Sequence, residues 1–140
     1  MTPPNVIFVP APVGVSATYS LSGDLVFSSS TRFQTTNETE SGAVGDFDRY
    51  PFASIRNQAT SILFYIYVDG WATVDDFLAS GGFTNVEFFV NGLAFSYSSI
   101  SHNSGTGRLL AIYMNAASAT VSSFWSTMAD TDPFTLNLYY

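Results

Sequence analysis

The sequence predicts an α+β protein rich in strand. A mainly antiparallel sheet, folded as a sandwich or half-barrel, carries two short helices at about 73–80 and 117–129. Three observations carry this. Phe134–Tyr140 alternates apolar and polar residues, the period of a half-buried strand. Asn91-Gly92, the preferred pair for a two-residue hairpin turn, separates two apolar-rich runs. Val121, Phe124, Trp125 and Met128 recur at i, i+3, i+4 and i+7, one face of a helix. A length of 140 residues, 46% of them hydrophobic, suits one domain with a true core.

Residues 1–12 form the one segment of distinct character. Pro3, Pro4, Pro10 and Pro12 forbid a helix and favour an extended arm ahead of a β-rich domain at 13–140. Val6-Ile7-Phe8-Val9 within it has the character of a strand that pairs on a sheet edge. Two readings stand: an arm packed on its own domain, or one reaching a neighbouring subunit.

Val13–Tyr19 and Leu25–Phe27 read as strands with a turn at Ser22-Gly23-Asp24. Arg32-Phe33-Gln34 reads as a short strand, and Thr35–Asp48 as a long polar loop. Tyr50–Ile55 returns as an edge strand beside Pro51. Ile62–Val68 is the strongest strand. It lacks clean alternation, which predicts cover on both faces. Asp69-Gly70 closes it with a turn.

Thr73 is the candidate N-cap of the first helix, with Asp76 in the place of the reciprocal acid of a capping box. Asp75 and Asp76 also suit the positive end of the helix dipole, and Gly81-Gly82 stops the helix. In the hairpin that follows, over Phe83–Ile100, the turn sets Val90 opposite Leu93, Phe88 opposite Phe95, Val86 opposite Tyr97 and Thr84 opposite Ser99. The other face pairs Phe89 with Ala94, Glu87 with Ser96 and Asn85 with Ser98. A one-residue slip would bury Glu87 unpaired, at a cost of about 3–5 kcal/mol. Ser101–Gly107 reads as a polar loop holding His102, and Arg108–Met114 as a strand. Ser118 or Asn115 is the candidate N-cap of the second helix, and Asp130–Pro133 stops it.

Composition excludes several functions. Charged residues are 11% of the chain, the net charge is −7 and all four cations are Arg. Without a basic run, nucleic acid is not expected as a partner. The longest apolar run, Ile62–Val68, is too short for a membrane helix, which needs about 20 residues. The N-terminus lacks a basic region and Pro10 and Pro12 break its apolar stretch, so no signal peptide is expected. Ser, Thr, Asn and Gly supply most of the polar surface. Such short side chains lose little entropy against a neighbour. A biased genome explains the same composition.

Catalytic chemistry finds little support. One His and no Cys exclude a zinc pattern and thiolate chemistry. A Ser-His-Asp arrangement would rest on His102 alone, in surface-turn surroundings. Asp46-Phe47-Asp48 and Asp130-Thr131-Asp132 lack the Gly and Glu of a calcium loop. Asp75-Asp76 is explained by capping before paired-acid chemistry. No catalytic residue, cofactor or metal is therefore expected. Trp71 and Trp125 suit packing first and sugar stacking second.

In its composition across the chain, the sequence resembles small virion proteins of tailed bacteriophages, such as capsid cement or decoration proteins and tail components. The resemblance implies a non-enzymatic structural protein, made in the host cytoplasm and carried in the virion. It implies homo-oligomer or lattice contacts with other virion subunits. Interfaces of this kind concentrate energy in aromatic and Arg anchors. Ile7, Phe8, Arg32, Tyr50 and Arg56 are the candidate contacts of that type. The alternatives are a glycan-binding module of a host-recognition fibre and a small hydrolase.

Overall fold

The computed structural model describes residues 17–50 and 55–140. In chain order the elements are β1 (Thr18–Ser29), β2 (Arg32–Gly42), β3 (Asp48–Arg49), β4 (Ile55–Gln58) and β5 (Ser61–Tyr67). Then come α1 (Val74–Ala79), β6 (Asn85–Val90), β7 (Leu93–Ala94), β8 (Ser99–His102), β9 (Leu109–Asn115), α2 (Ser118–Trp125) and β10 (Pro133–Tyr139). All strands join one antiparallel sheet in the order β7-β6-β10-β1-β2-β4-β5-β9-β8, with β3 pairing β5. The fold is the expected α+β class in its half-barrel form.

The two edge strands, β7 and β8, belong to one stretch of chain. Phe95 still donates to the Phe88 carbonyl at 2.9 Å, while Ser98 already donates to Asn115 on β9 at 2.8 Å. Phe95–Ser98 therefore links the two edges of the curled sheet. This corrects the long hairpin expected over Phe83–Ile100. The pairs Val90–Leu93 and Phe89–Ala94 form as the turn dictates, and Asn91 takes its positive φ of 52°. Beyond Phe95 the strand leaves for β9, where Ile100 faces Met114. The predicted inward face is kept in part: Val86, Phe88, Val90 and Phe95 are buried, whereas Leu93, expected inward opposite Val90, is 49% exposed.

β1 and β2 correct two further expectations. Ser22-Gly23-Asp24 is no turn, because β1 runs through it. The register shifts there, and Asn37 on β2 adopts φ 54°, a bulge that places an extra β2 residue opposite Gly23. A Cβ on Gly23 would lie 2.6 Å from the Thr36 carbonyl oxygen. Residues 35–42, read as loop, are strand. Their polarity reflects a strand whose cover is slight: Phe33 is the one buried residue of β2. The strand reading of 13–16 and of Pro51–Ser54, and the arm at 1–12, lie outside the described residues.

β5 buries Ile62, Phe64 and Ile66 in the core cluster. Its other face is only partly covered, since Tyr65 and Tyr67 are half-buried. Thr73 caps α1 as expected, accepting the Asp76 N–H at 3.1 Å, and Gly81 and Gly82 end it with φ of 125° and 65°. α2 is shorter than expected. Ala117 occupies its N-cap without a side-chain bond, so neither Ser118 nor Asn115 caps it. Val121 and Phe124 enter the core, and Trp125 and Met128 pack at its margin. β10 alternates as predicted, with Phe134, Leu136 and Leu138 buried.

Each helix sits over an aromatic cluster. Phe77 of α1 meets Phe47, Trp71 and Phe83 at 5.5, 4.6 and 4.7 Å between ring centroids. Phe124 of α2 meets Phe88 and Phe95 at 5.8 and 5.1 Å. Full burial of such a side chain is worth about 1.5–3 kcal/mol, so these rings are the main adhesive between helices and sheet.

Candidate functional site

Three of the five residues singled out in the sequence share one face of the sheet. Residues directly opposite in a sheet project to the same side. Arg32 faces Arg56, Arg56 faces Leu63 and Leu63 faces Tyr113. The neighbouring row, Phe33, Ile55, Phe64 and Ile112, lies in the core cluster. The row from Arg32 to Tyr113 is therefore on the outer side. Two residues further along β5, Tyr65 faces Ala111; two more, Tyr67 faces Leu109 on one side and Asp48 on the other. The Tyr50 ring lies 5.6 Å from Tyr65 and 5.8 Å from Tyr67. Ile7 and Phe8 lie outside the described residues.

This outer face has its own apolar centre. Leu63 and Ala111 are 1% and 5% exposed, yet neither belongs to the main core cluster. Both helices bury their apolar residues on the opposite side. Sequence reasoning missed Leu63, Tyr65, Tyr67 and Tyr113, because an unbroken apolar strand reads as core on both sides. A signal was present: β5 carries Tyr, amphipathic, at two successive odd positions.

The electrostatics of the face are uneven. Arg32 and Arg56 are like charges placed directly opposite, an arrangement that costs about 0.2–1 kcal/mol. The ion pairs among the described residues are Arg49–Glu38 at 3.1 Å and Arg108–Asp69 at 3.5 Å. Neither Arg32 nor Arg56 takes part. The Arg56 Nε is buried without an acceptor.

Glu38, Glu40, Asp46 and Glu87 are tied into the fold by side-chain contacts. The ladder between β2 and β4 has two pairs, and beyond it one ion pair, between β3 and β2, bridges the seam. Arg49 on β3 reaches Glu38 on β2, Thr35 donates to Glu38, and Tyr19 donates to Glu40. Burial, then the bond to Glu40, raises the Tyr19 phenol well above its ordinary pKa. Tyr140 donates to Asp46 at 2.8 Å and is raised in the same way, by burial first and that carboxylate second. Tyr139 donates to Glu87 at 2.7 Å, and this bond leads the smaller upward shift of its phenol.

His102 corrects its loop assignment, because it ends strand β8 opposite Ile112 and is exposed. Among the described residues no group of three His, Asp or Glu is placed to hold a metal ion. The groove between β7 and α2, lined in part by Leu93, Phe95, Thr120 and Ser123, contains no titratable side chain. Trp71 and Trp125 each pack within an aromatic cluster. No helix among the described residues is long and apolar enough to cross a membrane. Compared with protein-family models, curated proteins and solved structures, the chain matches none.

Proposed function

We propose that this chain is a structural protein of a virus particle, a phage capsid cement or decoration protein or a tail component, that works through protein–protein contacts and carries out no reaction. The supporting observation is the outer face of β2, β4, β5 and β9. It combines Arg32, Arg56, Tyr50, Tyr65, Tyr67 and Tyr113 around a small apolar centre, the residue types in which interface energy concentrates. Charged residues are only 11% of the chain, and Phe27, Val44 and Leu93 stand exposed elsewhere on the surface.

The test is localisation. Particles purified from the native source are labelled with an antibody to this chain and viewed by electron microscopy. The expected result is label at regular positions on heads or tails. Label confined to the soluble fraction would overturn the proposal.

A further inference from the structure

We infer that the groove between β7 and α2 receives an extended, uncharged peptide segment of a partner protein, added as a strand to the open edge of β7. The groove lies apart from the outer face described above, and the inference does not depend on the assembly role.

The first observation is which residues line the groove. Residues 93–96 do so, four in succession. Successive side chains of a strand point to opposite faces, so a groove on one face would meet every second residue. A groove that meets all four runs along the strand's edge. Its far wall is one side of α2, where Ala119, Thr120 and Ser123 are short and exposed. Phe95 and Phe124, packed edge-on at 5.1 Å, give it an apolar floor. Its volume of about 440 Å³ is that of a ligand cleft.

The second observation is an unfinished ladder. Phe95 donates to the Phe88 carbonyl on β6 at 2.9 Å. Backbone groups alternate sides along an antiparallel strand, so those of Ala94 and Ser96 turn away from β6. On that same side Ser98 donates to Asn115, the last residue of β9, at 2.8 Å. β9 ends there and the chain passes into α2. Residues 94–96 are left facing the place that a strand in line with β9 would fill. Among the described residues, the Ser96 amide and carbonyl have no backbone partner.

These features select the occupant. α2 stands beside the open edge, which bars the broad sheet of a second copy and admits a single extended chain. No titratable side chain lines the groove, so a charge brought inside would lose water without gaining a partner. The segment is therefore uncharged. Its backbone pairs with residues 94 and 96, and every second side chain is apolar and rests on Phe95 and Phe124. Main-chain bonds then supply affinity and the alternate side chains supply selectivity. The edge itself invites pairing: residues 93–96 hold no charge and no proline, the usual guards of an open edge, and Leu93 is 49% exposed.

The experiment selects heptapeptides from a random display library on the immobilised full chain. The tightest is labelled and its binding measured by fluorescence anisotropy. The expected sequences are uncharged, with apolar residues at alternate positions. Methylating alternate amide nitrogens of the peptide should separate two sets. The set facing β7 weakens binding by about tenfold or more, and the other leaves it within about twofold. An apolar pocket without strand pairing makes no such distinction. Thr120→Trp, which fills the groove from an exposed position, and Ala94→Pro, which removes an edge amide, should each weaken binding by about tenfold or more. Circular dichroism reports whether each variant is folded. If Ala94→Pro does not fold, peptide methylation decides, because it leaves the protein unchanged. Failure to select any peptide would overturn the inference, as would charged residues at the alternate positions or a methylation pattern without alternation. So would a folded Thr120→Trp that binds like wild type. A wild-type dimer that Thr120→Trp dissociates would also overturn it, by giving the groove to a second copy.

Discussion

Trp125 lies flat against Phe33, ring centroids 4.2 Å apart and planes 17° from parallel. Trp125 ends α2, and Phe33 is the one buried residue of β2. This stack is thus the place where the second helix grips the polar half of the sheet. Phe27 completes it, edge-on to Phe33 at 4.3 Å.

Truncating Trp125 to Ala should lower stability by about 3 kcal/mol, since it removes a large ring and strips the stacked face of Phe33. Trp125→Phe should cost less than about 1.5 kcal/mol. It keeps an aromatic there and deletes an indole N–H that is buried without a partner. Urea denaturation of the two variants measures the difference. Equal losses would mean that the ring's apolar area is not what matters.

Gly42→Ala should destabilise by at least about 1–2 kcal/mol. Gly42 has φ of 81°, and a Cβ there would lie 2.1 Å from the Thr18 carbonyl oxygen. Both obstacles are backbone, so no rotamer change relieves them. Gly81→Ala shares the positive φ but has open space around it, and should lose only the conformational part. Thermal unfolding of both variants separates strain from collision.

The protein should lose stability at alkaline pH. The phenols of Tyr19, Tyr139 and Tyr140 are raised above their ordinary value of 10.0. A group whose folded pKa is raised contributes stability fully present below its unfolded pKa, and loses it as pH rises towards the folded value. The window therefore opens near pH 10.0. Tyr19 and Tyr140 carry most of the effect, because burial leads their shifts, whereas solvent screens Tyr139. Phenolate absorbance followed against pH should show those two ionising only as circular dichroism reports unfolding. Ionisation of all eight tyrosines near pH 10.0 in the folded state would refute this.

Titration with simple sugars should leave tryptophan fluorescence unmoved. Trp71 packs edge-on with Phe77 at 4.6 Å and Trp125 stacks on Phe33 at 4.2 Å, so both indoles are engaged in packing within the chain. A saturable spectral shift would return the glycan-binding alternative to first place.

Features set by neighbours in sequence were legible without coordinates. Thr73 caps α1 because a hydroxyl three residues before a helical N–H is within reach in any context. Asn91-Gly92 forms its turn because both residues tolerate positive φ. β10 alternates because one face meets the core. The inward side of β6 followed from the same alternation. Arg32, Tyr50 and Arg56 were chosen by residue type alone, and nothing local linked them.

The path of Phe95–His102 was decided only in the folded sheet. A turn specifies its first pairs, but further out the strand chooses between β6 and the open edge of β9, and that choice depends on long-range pairing. The strand character of residues 35–42 was hidden for a related reason. The β1 ladder holds them and few apolar contacts do, so their composition resembles that of a loop. The outer face belongs to the same class. Arg32, Arg56, Leu63 and Tyr113 come from four strands, and only the register between those strands makes them neighbours. Sequence alone determined the Asn91-Gly92 turn, the Thr73 cap and the alternation of β10, because short-range sterics and hydrogen bonds settle them. Tertiary structure decided which faces the strands share, because cross-strand register is a property of the whole sheet.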